Sequence, residues 1–398
     1  MSSEDVAVAG SSGATPGTGR LPAIDVARGV ALVGMMAVHV LSSDGGASGA
    51  VHSLAGGRSA ALFAVLAGVG LALGSGGAHP TADRLRQARR AIPIRAAVIG
   101  FLGLTLGLIS TPAAIILPYY AVLFLFALPV LGWSARRLAL AAACWAVLSP
   151  VLSHLLRAAG LNDGPGANPS WVDVTNPGST ALHLLINGYY PVLTWVTYLL
   201  AGLAVGRSVL GPQLGRRLVA LGTGLALSAW LVATVCVRLA GGVTALGARL
   251  DPTAYIAGRG DELLNDSFYG TTPTTSWWFL GVMAPHSGAI PDLVHTTGTA
   301  LLVIGLALLL VPRAGDWLRP LAAAGSMTLT LYSAHVIGLG FIAAADPDDG
   351  WPVWPVLLTN VVVALIAATW WGSPARRGPL EELVATAVEV SVPDQRRR

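Results

Sequence analysis

The chain has 398 residues, of which 54% are hydrophobic and only 11% are charged. A soluble domain carries roughly 25% charged residues, so this composition excludes an ordinary soluble protein and predicts an all-α protein that crosses a membrane many times. The net charge of +4 does not indicate nucleic acid binding, because the arginines cluster at the ends of apolar segments. Two cysteines, Cys144 and Cys236, are too few for a disulfide framework or a zinc-ligand cluster, and no metal site is predicted.

The order of the segments predicts three parts. Residues 1–20 are rich in Ser, Gly and Thr and lack an apolar stretch, which predicts a disordered cytoplasmic leader rather than a cleavable signal peptide. Residues 21–373 hold ten apolar segments of about 20 residues, the length that crosses a bilayer. Residues 374–398 are predicted to form a cytoplasmic tail with a short surface helix. The ten predicted spans are 23–42, 59–77, 92–110, 114–133, 138–156, 189–206, 216–237, 293–312, 321–341 and 353–372.

Arginine placement predicts the orientation of these spans. An even number of spans puts both termini on one side of the membrane. If that side is the cytoplasm, 19 of the 24 basic residues fall there. The other five are Arg58, Arg157, Arg238, Arg249 and Arg259. Because cytoplasmic loops of membrane proteins carry an excess of Lys and Arg, both termini are predicted to be cytoplasmic.

The first predicted span, DVARGVALVGMMAVHV at residues 25–40, contains three ionisable side chains. Arg28 and His39 are eleven positions apart, so they share one helical face and lie about 16 Å apart along its axis. Asp25 lies one turn before Arg28 and can pair with it. An ion pair at a helix end and a structural histidine are the ordinary interpretations. The alternative is that this face lines a polar cavity, as ionisable groups within spans usually do.

Further polar residues occur toward the outer ends of the predicted spans. In the ninth span, Tyr332 and His335 share a helical face with the preceding threonine at 328. His52 and Arg58 flank a glycine-rich turn before the second span, where a ligand can approach the backbone closely. His286 lies in the last long outer segment. We treat Arg58, Tyr332, His335 and His286 as candidate substrate-binding residues.

Paired tyrosines begin two other spans from the outer side, in LPYYAVLF and GYYPVLTW. The four are Tyr119, Tyr120, Tyr189 and Tyr190. Because tyrosine is enriched where spans meet the membrane surface, they are predicted to be interfacial anchors.

The first long cytoplasmic loop, TADRLRQARRAIPIRAAV, is dense in arginine. Topology signalling explains such a loop without any further role. Alternatively, Arg89, Arg90 and Arg95 could hold a polyphosphate together with Arg28, because the guanidinium group is planar, always charged and pairs bidentately with phosphate.

These stretches carry a family resemblance. The opening RLPAIDVARGVALVGMMAVHV resembles the first span of the transmembrane acyltransferase superfamily, and the spacing of Arg28 and His39 matches the R-x10-H pattern of its acyltransferase-3 branch. The loop histidine before GRSAALFAVLAGVGLAL, the late GSMTLTLYSAHVI, and RRGPLE after the last span resemble the heparan-alpha-glucosaminide N-acetyltransferase catalytic domain and bacterial YeiB-like membrane proteins. The resemblance extends from about residue 20 to about residue 382.

The resemblance implies an enzyme of the bacterial plasma membrane. It would move an acyl group, expected to be acetyl, from cytoplasmic acyl-CoA to a sugar amine or hydroxyl of an extracytoplasmic glycan or glycolipid. His52 matches the loop histidine of the glucosaminide branch, and His39 matches the acyltransferase-3 histidine. Asparagine usually stands at the position of His39 in the glucosaminide branch, so the choice of catalytic histidine stays open. Membrane lipid is an expected partner, nucleic acid is not, and a homodimer is left open.

Two other classes of function compete with the enzyme. A transporter or exporter would use intramembrane His, Arg and Asp residues as a substrate or proton path. The sequence shows neither clearly broken spans nor an inverted repeat that would favour it. The third option is an inactive scaffold for envelope assembly. Binding of acyl-CoA would separate the enzyme from both.

Overall fold

The computed structural model describes residues 21–41, 45–162, 166–243, 245–246, 268–346, 350–371 and 376–392. Within these ranges every regular element is a helix. The helices are α1 (Pro22–Val40), α2 (Gly46–Ala55), α3 (Arg58–Gly74), α4 (Ala82–Leu106), α5 (Leu117–Phe126), α6 (Ala135–Ala158), α7 (Pro177–Leu182), α8 (Val192–Gly206), α9 (Pro212–Thr234), α10 (Ile290–Ala314), α11 (Arg319–Ser326), α12 (Thr328–Ala345), α13 (Val353–Trp371) and α14 (Pro379–Ser391). Short 3₁₀ or π turns occupy Asp173–Thr175, His183–Asn187, Val235–Leu239, Trp277–Gly281 and Gly315–Leu318. The predicted leader at 1–20 lies outside the described residues.

Seven helical segments of the described chain are long and apolar enough to cross a membrane. They are Pro22–Val40, Gly46–Gly74, Ala135–Ala158, Pro212–Leu239, Ile290–Ser326, Thr328–Ala345 and Val353–Trp371. An eighth is added if Pro177–Asn187 and Val192–Gly206, which meet at an angle of 55°, count as one span. The protein is therefore a multi-pass membrane protein, as its composition predicts.

The structure shows why the predicted count of ten exceeds these eight. The predicted spans 92–110 and 114–133 correspond to α4 and α5, which fall short for different reasons. In α4 the first half carries a run of arginines, so its apolar part is too short to cross a membrane. In α5 the whole helix has only 10 residues. The count of ten, the cytoplasmic placement of both termini and the division into three parts stay predictions. The bend before α8 also differs from the expectation of unbroken spans.

Small residues let the helices approach closely, as is common in membrane bundles. A Cβ atom at Gly202 in α8 would overlap the carbonyl oxygen of Val65 in α3. A Cβ atom at Gly325 in α11 would overlap the carbonyl oxygen of Asp25 in α1. The second contact fixes the beginning of α12 beside the first turns of α1, and it thereby determines which polar side chains of these two helices can meet.

The tyrosine pairs are buried, and the prediction of interfacial anchors is wrong for three of the four. Tyr119, Tyr120 and Tyr190 are between 1% and 8% exposed, while Tyr189 is half-buried. The Tyr119 hydroxyl lies 2.9 Å from His183 Nε2 and accepts the Tyr189 backbone N–H at 3.2 Å. Burial inside the protein therefore replaces the expected contact with the membrane surface, and for Tyr119 it comes with hydrogen bonds.

Arg207 holds the end of α3 to the turn after α5. Its Nη1 donates to the carbonyl oxygens of Ala72 and Gly77 at 2.8 Å. Its Nη2 donates to Ser75 Oγ at 2.7 Å and to the Leu131 carbonyl oxygen at 2.6 Å. The last carbonyls of a helix lack partners within the helix and attract positive charge, so this buried guanidinium serves as a cap.

Replacing Arg207 with alanine is expected to destabilise the fold by about 3 kcal/mol, because several hydrogen bonds from a charged donor are lost and buried carbonyls are left unpaired. Thermal unfolding in detergent measures this effect. The matched control is Arg216→Ala, because Arg216 is exposed on α9. Equal melting temperatures for the two variants would contradict the capping role.

Candidate active site

A cavity of about 430 Å³ lies among α1, α3, α4, α5, α12 and α14. At one end, which we call the arginine end, its wall contains Arg28, Arg95 and Arg377. Toward the other end its wall contains Met35 and Tyr332. Met35 lies one helical turn before His39 on α1, so the cavity stops about 6 Å short of that histidine along the helix axis. We call the region beyond Met35 the histidine end.

The arginine end concentrates positive charge. Arg28 Nη1 lies 3.3 Å from Asp25 Oδ1, and Gly70 on α3 leaves the space that its guanidinium fills. Arg377 pairs at 3.6 Å with Glu382 and at 3.5 Å with Glu389, both on the exposed side of α14.

Arg95 is the arginine of this group without a partner. It is half-buried and makes no hydrogen bond or ion pair to any residue that the structure describes. Its nearest charged neighbours include Arg28 and Arg377, both of the same sign. Arg28 and Arg377 already pair with carboxylates, so the charge of Arg95 is the one at this end that an anion or solvent is left to compensate. The arginine end is therefore suited to an anionic ligand.

The structure divides the predicted phosphate-binding arginines into two groups. Arg28 and Arg95 line the cavity, and their contact with phosphate stays a prediction. Arg89 and Arg90 are exposed on the first half of α4 and are absent from the cavity wall. Arg377 takes their place, from a segment more than 280 positions later in the chain. Topology signalling remains sufficient to explain Arg89 and Arg90.

Glu381 docks α14 against the beginning of α12. Its Oε1 accepts the backbone N–H of Leu329 at 2.7 Å and that of Thr330 at 3.3 Å. Its Oε2 accepts the Thr330 hydroxyl at 2.6 Å. The first N–H groups of a helix lack partners within the helix, so Glu381 caps α12 from a distant part of the chain. The predicted surface helix of the tail is thus part of the cavity wall.

A chain of hydrogen bonds defines the proton positions at the histidine end. Asn360 Nδ2 on α13 donates to the Val356 carbonyl at 2.9 Å, so its Oδ1 faces His335 Nδ1 at 3.0 Å. His335 Nδ1 must therefore carry a hydrogen, and the neutral ring has its lone pair on Nε2. That atom lies 3.2 Å from His39 Nδ1, and the two rings stack with centroids 5.4 Å apart. His39 Nδ1 consequently donates, and His39 Nε2 is left unprotonated.

Tyr332 belongs to the cavity wall and lies beside His39. Its ring centroid lies 6.5 Å from that of His39. Its hydroxyl accepts the backbone N–H of Ile116 at 3.4 Å and donates to the Ala114 carbonyl at 3.3 Å. Tyr332 and His335 share one face of α12, as predicted. That face contacts His39 on α1.

His52 also lies at this end, in the last turn of α2. Its Nδ1 is 2.9 Å from the Leu41 carbonyl oxygen, which can only accept, so Nδ1 donates and the neutral ring has an unprotonated Nε2. The loop that carries His286 packs on the Gly56–Gly57 turn, which brings His286 close to His52. The His286 ring lies 5.5 Å from that of Tyr190. His39 and His52 thus present the same reactive nitrogen.

Burial and the neighbouring His52 lower the pKa of His286 to about 4. The unfolded chain has the ordinary histidine pKa of 6.5 and binds a proton as the pH falls through that value, while folded His286 does not. Stability should therefore decrease on acidification from about pH 6.5 to about pH 4. In a His286→Gln variant the melting temperature should fall less over this interval than in the wild type. Removal of the exposed His79 is the control, and identical curves for His286→Gln and wild type would contradict the prediction.

Arg58 is occupied by contacts within the protein. Its Nε donates to His295 Nε2 at 3.2 Å, and its Nη1 donates to the Ser53 carbonyl and, at 3.4 Å, to the Gly56 carbonyl. These bonds join α3 to α10 and to the turn after α2. Its predicted substrate contact stays a prediction. In the described part of the chain, no three His, Cys, Asp or Glu side chains are grouped as metal ligands would be.

Sequence reasoning did not select Asn360, Arg377 or Glu381. Asn360 could have been selected because it is a single asparagine within the apolar stretch VWPVLLTNVVVALIAATWW, and an amide in a membrane span needs a hydrogen-bond partner. The RRGPLE stretch carries part of the family resemblance, but nothing local in it shows that it returns to the beginning of α12.

Two family models match the chain. Residues 20–235, more than half of the chain, match the family described as heparan-alpha-glucosaminide N-acetyltransferase, catalytic. Residues 268–390 match a family described as a protein of unknown function, DUF418. No curated protein and no solved structure matches the chain significantly. The first match confirms the predicted resemblance, while kinship with the acyltransferase-3 branch through R-x10-H stays a prediction. The chain therefore belongs to the heparan-alpha-glucosaminide N-acetyltransferase catalytic family, a family of membrane transferases.

Proposed function

We propose that the protein transfers an acyl group, expected to be acetyl, from cytoplasmic acyl-CoA to an amine or hydroxyl of a sugar on the other side of the membrane. The observation that carries this proposal is the cavity that begins at three arginines and ends one helical turn before His39. Guanidinium groups pair well with phosphates, so the charged part of CoA is expected at the arginine end. Its thioester would then point toward the histidines.

The residues of the cavity fit such a ligand. Arg95 has no partner among the described residues, and an anion beside it would offset the repulsion from Arg28 and Arg377. Most of the remaining wall is apolar, with Phe63, Leu66 and similar side chains, which suits an uncharged arm better than a second charged group.

The histidine end supplies the base. Acyl-CoA brings an activated thioester carbonyl to the site. His39 Nε2, which carries no hydrogen in the neutral ring, is proposed to remove the proton of the attacking amine or hydroxyl. The new bond forms at the carbonyl carbon, the C–S bond breaks, and the sulfur leaves with the electron pair and takes up that proton. His52 is the second candidate for the same step, and His335 and Asn360 orient His39.

The location and partners follow from the same proposal. The arginine end faces the cytoplasm of a bacterial plasma membrane, in line with the arginine distribution of the loops. The acceptor, an envelope glycan or glycolipid, approaches the histidine end near His286. A homodimer is compatible with this arrangement and is not required by it.

Reconstitution in vesicles tests the proposal. Purified protein is given labelled acetyl-CoA outside and glucosamine as the acceptor on both sides, and labelled N-acetylglucosamine is then measured in each compartment. In vesicles oriented with the arginine end outward, labelled product is expected inside. Thermal stabilisation by acetyl-CoA, about 2.7 kcal/mol at 100 times Kd, reports binding even if glucosamine is a poor acceptor. Absence of stabilisation would reject the donor.

A transporter is the second candidate, and one observation favours it. The bend of 55° before α8 fits a broken span or a re-entrant loop, and the buried amide of Asn187 at this bend has no hydrogen-bond partner among the described residues. Broken spans form substrate sites in many transporters. Release of unmodified labelled substrate on the far side of the vesicles, without covalent transfer, would support this candidate over the enzyme.

A further inference from the structure

The hydroxyl of Tyr120 is a buried polar group without a partner. Tyr120 lies on α5, its side chain is 8% exposed, and its hydroxyl makes no hydrogen bond within the described residues. Of the buried side chains with such an unpaired atom, Tyr120 alone belongs to the cavity wall in the described part of the chain. A buried unpaired hydroxyl costs about 1–3 kcal/mol, so a small shift that opens it to the cavity would let a ligand or solvent supply the missing acceptor.

The position of Tyr120 along the cavity limits what that acceptor is. A Cβ atom at Gly100 on α4 would lie 3.0 Å from Ala121, the neighbour of Tyr120. Gly100 is five residues beyond Arg95, or about 7.5 Å farther toward the histidine end. Ile116, one turn before Tyr120, hydrogen-bonds the Tyr332 hydroxyl. Tyr120 therefore lies beyond the arginines and beside Tyr332, where the cavity approaches His39.

The side chains of Tyr332 and Tyr120 differ in whether the hydroxyl hydrogen is already used in a hydrogen bond. The Tyr332 hydroxyl already donates to the Ala114 carbonyl, so its hydrogen is used. The Tyr120 hydrogen is available, and the ring is held by a stacked contact with Phe124 at 6.0 Å between centroids. A rigid donor in an apolar surrounding is what stabilises a developing oxyanion, because no solvent has to reorganise during the reaction.

From these observations we infer that the Tyr120 hydroxyl donates a hydrogen bond to the carbonyl oxygen of the acyl thioester. The inference rests on the proposed acyl transfer and adds a catalytic residue to it. When the acceptor nitrogen or oxygen forms its bond to the carbonyl carbon, the carbonyl electron pair moves to the oxygen, where the Tyr120 hydrogen bond stabilises it. When that pair returns, the C–S bond breaks and the thiolate takes the proton that histidine had removed.

Tyr120→Phe tests the inference by removing only the oxygen. Loss of one oxyanion donor typically lowers kcat about 10²- to 10³-fold, and a decrease of that order is expected here. The fold should be retained, because the ring and its contact with Phe124 remain and an unpaired buried group is removed. The matched control is Tyr198→Phe, whose hydroxyl bonds Thr296 Oγ1 at 2.7 Å and lies outside the cavity wall.

A second measurement separates binding of the carbonyl from binding of the rest of CoA. S-ethyl-CoA has a methylene group where acetyl-CoA has the thioester carbonyl. Tyr120→Phe is expected to weaken binding of acetyl-CoA and to leave binding of S-ethyl-CoA unchanged. Equal weakening of both ligands, or unchanged kcat, would overturn the inference while leaving acyl transfer intact. If the wild-type protein binds neither ligand, the proposed function itself fails.

Discussion

Replacing His39 with alanine is expected to lower the rate of acyl transfer by about 10²- to 10⁴-fold, the usual contribution of a general base. The reason is the chain from Asn360 through His335, which leaves His39 Nε2 unprotonated and one turn from the cavity. The expected loss is in kcat, and binding of acetyl-CoA should change little, because His39 is absent from the cavity wall. Product formation and thermal stabilisation by acetyl-CoA, measured on the same preparation, separate the two effects.

His295→Ala is the matched control for this prediction. His295 lies toward the same end, but its Nδ1 bonds the Ala226 carbonyl at 3.1 Å and its Nε2 accepts from Arg58, so neither nitrogen is available as a base. The comparison with His52→Ala decides between the two candidate histidines. A large loss of kcat in His52→Ala with normal rates in His39→Ala would transfer the base to His52. Normal rates in both variants would exclude His39 and His52 as the base.

The second large effect is expected for Arg95→Ala. A hydrogen bond to a charged group contributes about 1.5–3 kcal/mol, and each 1.4 kcal/mol corresponds to a tenfold change in affinity. Acetyl-CoA should therefore bind about 10- to 100-fold more weakly, with an increased KM and a nearly unchanged kcat. The effect should be smaller for an acyl-pantetheine without the nucleotide phosphates, because Arg95 would then have less negative charge to contact.

Arg89→Ala and Arg90→Ala are the controls on the same helix. Both side chains are exposed and outside the cavity wall, so each variant should bind acetyl-CoA nearly as the wild type does. If either variant weakens acetyl-CoA binding as much as Arg95→Ala does, the CoA phosphates extend along the outside of α4. The predicted group of Arg28, Arg89, Arg90 and Arg95 would then be correct. Equal affinity in all three variants would place the anion elsewhere.

The sequence predicted the polar faces of α1 and α12 because each is encoded within one helix. Eleven positions between Arg28 and His39, and three between Tyr332 and His335, determine shared faces through helical geometry alone. Charged residues are rare in apolar spans, so these positions were visible without knowledge of the fold. What joins the two faces is the contact between His39 and His335, separated by 296 positions, and no local pattern specifies it.

The residues that were not predicted act through such distant contacts. Asn360 matters because α13 turns it toward His335, and Arg377 because α14 folds back over the cavity. Tyr120 was assigned to the membrane surface, since a tyrosine pair at the beginning of a span is typical of an interfacial anchor. Burial against α4 and α12 reverses that assignment, and only the packed structure shows which hydroxyl lacks a partner.

The docking of α14 by Glu381 has a consequence for biosynthesis. This helix follows every other described helix in the chain, yet Glu381 supplies the cap of α12 and Arg377, just before the helix, is one of the three arginines at the cavity. Every other described helix is synthesised before either residue. The proposed donor site can therefore be completed only after all the other described helices have been synthesised. A truncated chain that ends before residue 376 would keep every described span but lack Arg377 and Glu381, and it would leave the proposed donor site incomplete.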